Sequence, residues 1–145
     1  MLVLECVTKI ANRTRFCFLC SENNQTRMKK VYFLQTCDTC KRILKEVAIP
    51  NFERQEIKTS PITVAQLEEM YALSGSYEAL FNKRAKLYKA MDLKNQVLSE
   101  ADYRQYLLEQ YTFLKRPVFI VDAEIFIGNS KKVVVALQEK IATLS

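Results

Sequence analysis

The chain contains no histidine. That excludes Ser-His-Asp triads, Cys-His dyads, zincin motifs and every His-ligated metal. Its two glycines, Gly75 and Gly128, lie far apart, so neither a Walker loop nor a GxGxxG dinucleotide turn can form. No stretch approaches the ~18 uninterrupted apolar residues of a membrane span, so a soluble chain is expected. There is no run of five or six consecutive basic residues, and aromatics are not interleaved with a basic stripe. Direct nucleic-acid binding is therefore not expected. No internal repeat, low-complexity tract or linker divides the chain.

What is present is ordinary globular composition: 145 residues, 49% apolar and 26% charged, enough for one domain with its own core. Lys and Arg number 22 against 16 Asp and Glu, a net charge of +6. An excess of that size suits anionic small molecules or an acidic partner face. Chemistry must come from cysteine, arginine or lysine, carboxylates, tyrosine or hydroxyls, and five cysteines are the place to look.

Residues 1–27 read unlike the rest, with apolar bursts at Leu2–Leu4 and Phe16–Leu19 and a polar tail Ser21–Arg27. They lack the charged start, apolar run and cleavage site of a secretory signal. We read Met28 as the native start and residues 1–27 as an upstream extension. From there the pattern is orderly. Val31–Gln35 suits a buried strand and Cys37 to about Ala48 a helix with Ile43, Leu44 and Val47 inward. Pro50 stops that helix, and Phe52–Ile57 alternates as a second strand, parallel to the first. Thr63 caps a helix carrying Val64, Leu67, Met70 and Tyr71 and ending near Gly75. Tyr77–Phe81 starts a short helix before the basic segment Asn82–Lys86. Ser99–Asp102 opens a helix that continues through Tyr103, Tyr106 and Leu107 to Gln110–Tyr111. Val118–Val121 and Ile125–Ile127 read as antiparallel strands, and Val133, Val134, Leu137 and Ile141 line a last helix. The order is β-α-β, helices, β-β-α.

The central motif is Cys37-Asp-Thr-Cys40, where the first strand passes into the first helix. A thiolate at a helix N-terminus is stabilised by unpaired backbone N–H groups and the positive dipole end. Spacing of three puts Cys40 one turn further in, close enough for a disulfide with Cys37. Cys37 then reads as the exposed attacking thiol and Cys40 as the resolving one, a redox pattern beside a βαβ unit. The plain alternative is two buried structural thiols. A third reading uses Cys17 and Cys20 with Cys37 and Cys40 as a four-thiolate zinc site. Against it, no glycine follows either pair to make a zinc-knuckle turn, and the helix after Cys37 has its own amphipathic reason to form. Cys6 stands alone. Arg116 and Arg84 are candidate anion and thiolate partners, since a guanidinium fork fits a tetrahedral oxyanion. The alternative for Arg84 is a solvated basic turn.

Residues 28–145 resemble the glutaredoxin-coupled arsenate reductase family and its Spx-like relatives. The resemblance rests on Val31–Arg42 around the two cysteines, Leu80-Phe-Asn-Lys-Arg84, Leu114-Lys-Arg116-Pro117-Val and Phe126-Ile-Gly128, in that order and spacing. It implies an α/β, thioredoxin-like fold with a mixed four-stranded sheet and a helical insertion between its halves. It implies a cis-proline at Pro117 that carries Arg116 toward Cys37. By resemblance, Cys37 is the nucleophile that attacks arsenate or a related oxyanion, Cys40, Arg84 and Arg116 complete the catalytic set, and no cofactor or metal is bound. Glutathione with glutaredoxin, or thioredoxin, is the implied reductant, in a cytoplasmic bacterial protein. Two positions depart from the reductases. Serine is usual where Cys40 stands, and a third arginine is replaced by Asn129; such a lost contact is worth ~1.5–3 kcal/mol. The CxxC is typical of the Spx-like regulators, which implies the alternative of a redox sensor binding the C-terminal domain of the RNA polymerase α subunit through a Cys37–Cys40 switch.

Overall fold

The computed structural model describes residues 29–47 and 51–144. Four strands form one mixed sheet in the order β2-β1-β3-β4. β1 is Lys29–Phe33, β2 Glu53–Glu56, β3 Val118–Val121 and β4 Glu124–Ile127. β1 and β2 are parallel, while β1–β3 and β3–β4 are antiparallel. The parallel pair requires a crossover, supplied by helix α1, Asp38–Glu46. β4 returns into the long helix α6, Lys131–Thr143.

Side chains alternate across a strand, and the sheet uses that to hold two cores. Val31, Phe119 and Val121 face one side with Ile43 and Val47 of the α1 turn and Leu137 of α6. Tyr32, Val118 and Ile120 face the other side, against the segment between β2 and β3. This is why β3 reads as an unbroken apolar run: each of its four residues is buried, two on each face. Each such large side chain adds roughly 1.5–3 kcal/mol on burial. β2, at the edge, is instead Glu-Arg-Gln-Glu, a charged rim that discourages strand addition.

The insertion comprises α2 (Val64–Ser74), α3 (Tyr77–Leu80), α4 (Lys86–Ala90) and α5 (Glu100–Glu109), with 3-10 turns at Leu93–Asn95 and Tyr111–Phe113. Thr63 and Gln66 form a capping box, as do Ser99 and Asp102. Gly75 ends α2 at φ 78°, a left-handed cap that suits glycine. Phe81 is the hub, with ring centroids 4.9 Å from both Phe113 and Tyr103.

Several sequence expectations change in detail. Cys37 caps α1 instead of joining it. In α2 only Leu67 and Met70 are buried; Val64 is exposed, and Tyr71 is turned outward to stack on Tyr77 at 4.2 Å. Phe81 leaves the helix to make a β-bridge with Leu114. α5 stops at Glu109 because Gln110 turns to extended geometry, which lets Phe113 bury beneath Phe81. α4 and the turn at Leu93–Asn95 are additional. Pro50, Met28, the segment 1–27 and the cysteines Cys6, Cys17 and Cys20 lie outside the described residues.

Candidate active site

β1 ends in a tight turn closed by the Cys37 N–H donating to the Leu34 carbonyl at 3.1 Å. This sets Cys37 as the N-cap of α1, with extended backbone at φ −95°, ψ 113°. Its side chain closes no cap hydrogen bond of standard geometry. Partial burial pushes the Cys37 thiol up, but the Cys40 amide, the Cys40 thiol, the Thr39 amide and the Arg116 charge push it down. Together they prevail, so Cys37 ionises below its ordinary 9.0.

Cys40, one turn on, is 0% exposed. Burial raises its thiol to about 11, helped by the charge and hydrogen bond of Cys37 and opposed by a Leu34 backbone hydrogen bond and Arg116. Both cysteines are free thiols. The pair therefore consists of a partly exposed, acidified sulfur and a sealed sulfur one turn away.

Cys37 opens onto a cleft of about 850 Å³ whose walls also carry Arg84, Arg116 and Asn129. Arg116 is brought there by a cis peptide bond to Pro117, the geometry the resemblance implied. Gly128, at φ 90°, donates its N–H to the Pro117 carbonyl at 2.9 Å and so ties the end of β4 to this loop. Arg84 arrives from the insertion. The Phe81–Leu114 bridge, flanked by Asn82 N–H to Phe113 at 2.6 Å and Lys115 N–H to Leu80 at 2.8 Å, clamps its turn beside Lys115–Arg116. Asn82 Oδ1 accepts the Arg84 N–H at 3.1 Å and shapes that turn. Neither Arg84 nor Arg116 joins a carboxylate ion pair among the described residues.

Three of the four candidates thus share one cleft; Cys40 lies behind its wall. Arg116 acts on the Cys37 charge, whereas Arg84 is exposed and is not among the groups that do so. The sequence did not single out Lys115, whose Nζ donates to the Ala79 carbonyl at 2.9 Å on the same cleft. That contact spans 36 residues, so no local spacing could announce it. The zinc reading needs Cys17 and Cys20, and among the described residues no group of three or more Cys, Asp or Glu could hold a metal. No helix of the described residues is long and apolar enough to cross a membrane.

A CxxC capping the first helix of a mixed four-stranded sheet, opposite a cis-proline, defines a thioredoxin-like α/β fold. The ArsC family model matches residues 32–137, and the chain belongs to the ArsC family. It is 29% identical over 109 residues to an uncharacterized protein of Haemophilus influenzae, covering 72% of this chain and 94% of that protein. The solution structure of SACOL0876 from Staphylococcus aureus COL is similar at 28% identity and TM-score 0.59, over 73% of this chain and 94% of that one. An arsenate reductase from Vibrio cholerae shares the fold at 17% identity and TM-score 0.64, over 77% and 98% of the two chains.

Proposed function

We propose that the protein is a thiol-dependent reductase of small oxyanions, arsenate being the substrate to test first, with Cys37 as nucleophile. The observation that carries this reading is the meeting of an acidified, accessible Cys37 with two arginines that, among the described residues, join no carboxylate ion pair, in one cleft. Arg116 stabilises the thiolate and, with Arg84, holds the oxyanion.

In the first step Cys37 Sγ supplies the electron pair of a sulfur–arsenic bond, and a hydroxyl leaves as water with one proton. A second thiol then attacks Cys37 Sγ, its proton passing to an oxygen of the departing arsenic group. The sulfur–arsenic pair returns to arsenic, which departs as arsenite reduced by two electrons, while the two sulfurs are oxidised to a disulfide. Cys40 is the resolving thiol on this reading, since it follows Cys37 by one turn at the start of α1 and the two thiols influence each other's ionisation; glutathione is the external alternative. Glutaredoxin or thioredoxin supplies the electrons that restore the dithiol. No bound cofactor enters these steps.

The test is arsenate-dependent NADPH consumption with glutathione and glutaredoxin, or thioredoxin, followed by mass spectrometry of the Cys37 peptide. Turnover that requires Cys37 is expected, with a Cys37–Cys40 disulfide trapped after oxidation. No turnover despite a reactive Cys37 would remove arsenate as substrate. Capture of RNA polymerase α only by the oxidised form would replace the enzyme with a regulator.

A further inference from the structure

The cleft carries more positive charge than one oxyanion at Cys37 requires. Lys83, Arg84, Lys115 and Arg116 line it against a single carboxylate, Glu78, and Glu78 is held by Lys83. With Cys37 as the thiolate that the mechanism requires, a surplus of two positive charges faces the cavity. The cleft has a volume of about 850 Å³. A tetrahedral oxyanion has five heavy atoms and fills a small part of that. Cavities of this size commonly hold an organic molecule.

Lys115 differs from the other three cations. Its side chain lies back against the wall, with Nζ donating to Ala79 O at 2.9 Å. An ammonium has three N–H donors; the carbonyl takes one, and Lys115 joins no ion pair among the described residues. Burial and the neighbouring Lys83 charge lower its pKa, with Glu78 acting the other way. Partial burial makes the Lys115 charge costlier to keep than one in open solvent, and an anion beside it would offset that cost. Asn129, which also lines the cleft, adds no charge to it.

We propose that Lys115 is a specificity-determining residue: it receives the carboxylate of an organic substrate whose reacting atom lies at Cys37. This rests on the reading of Cys37 as the nucleophile. It assigns the site a carboxylate-bearing electrophile in addition to, or in place of, a bare oxyanion.

The test compares two alkylating probes that differ only in charge. Cys37 displaces iodide from either iodoacetate, which bears a carboxylate, or neutral iodoacetamide. Rates are followed at the Cys37 peptide by mass spectrometry, because the chain has five cysteines. The readout is the rate ratio of iodoacetate to iodoacetamide, which cancels changes in thiolate content. In the unaltered protein that ratio is expected to exceed the ratio for N-acetylcysteinamide, a reference thiol with no charge of its own. Lys115→Gln is expected to lower it about 3- to 10-fold, the scale of one charge-assisted contact at a half-exposed site, and Lys115→Arg to restore most of it. A ratio in the unaltered protein no higher than that of the free thiol overturns the inference, even if Lys115→Gln does not fold. So does a ratio that Lys115→Gln leaves unmoved. A Cys37 that resists both probes overturns the functional reading first, and this inference with it.

Discussion

Cys37 and Cys40 stand three residues apart, yet the molecule gives them opposite chemistry. Cys37 sits before the first turn of α1, where amides point at its sulfur and the cleft admits solvent. Cys40 sits inside that turn, fully buried, with its thiol raised to about 11. One turn of helix separates a sulfur that favours charge from one that refuses it. Position relative to the helix end decides which sulfur loses its proton more readily, and burial decides which keeps it. Replacing each in turn breaks the comparison most severely. Cys37→Ser is expected to lose all measurable oxyanion reduction. Cys40→Ser should retain Cys37 alkylation and, where glutathione can resolve the intermediate, retain part of the turnover. Equal loss in both variants, measured by NADPH consumption, would mean the two sulfurs do not divide the work.

The next largest effect comes from the opposite wall. Phe81 is buried among Tyr103, Phe113 and Tyr88 and pins the Arg84 turn through its bridge to Leu114. Phe81→Ala should destabilise the fold by about 3–5 kcal/mol, the usual range for removing a core aromatic, seen as a lower urea midpoint. The Cys37 thiol should stay acidified in the folded variant, because its own helix amides and Arg116 set that property. A thiol returned to its ordinary value would show that the insertion, and not the junction, makes Cys37 reactive.

The same division between junction and insertion explains what the sequence made legible. β2 follows from a period of two, β1 and β3 from short unbroken apolar runs, and α1 and α6 from apolar positions recurring every three to four residues. Cys37 at the strand-to-helix passage is a local feature, and so is the pair Arg116–Pro117. The insertion is different. Phe81 abandons a helical pattern to pair with Leu114, thirty-three positions later in the chain, and α5 stops where Phe113 can stack on Phe81. Those choices are made by tertiary packing, which overrides local propensity. The partner of Lys115 Nζ is a backbone carbonyl, which no side-chain pattern marks. The depth of Cys40 likewise depends on what packs over α1, so the CxxC showed two thiols without showing that one is sealed.

A smaller effect sharpens the roles of the two arginines. Arg116 is among the groups that lower Cys37, and Arg84 is not. Arg116→Gln should slow iodoacetamide alkylation of Cys37 at neutral pH by roughly three- to tenfold, as expected for one nearby opposite charge. It acts alongside the helix amides, so part of the acidity should remain. Arg84→Gln should change that rate less, while weakening oxyanion binding. A greater loss of alkylation from Arg84 than from Arg116 would reverse their assignment.

The smallest effect is a difference in pH dependence, with opposite signs for the two cysteines. Folding stability rises with pH wherever the unfolded chain binds more protons than the folded one. Cys37 ionises below 9.0 when folded. Between that lowered value and 9.0 the unfolded thiol keeps its proton while the folded one has lost it. Its contribution is therefore complete above 9.0 and disappears as pH falls through the folded value. Cys40 behaves in reverse, because its folded thiol holds the proton up to about 11. Its contribution is complete below 9.0 and is lost as pH rises from there to about 11. Urea unfolding at closely spaced pH values should show a decline from pH 9.0 upward, and Cys40→Ala should flatten the part below pH 10.0, above which Tyr32 and Tyr77, both also raised by burial, add their own decline. Cys37→Ala should instead flatten the rise below pH 9.0. If Cys40→Ala left the alkaline decline intact, the sealed thiol would not be the group responsible, and the contrast between the two sulfurs would rest on reactivity alone.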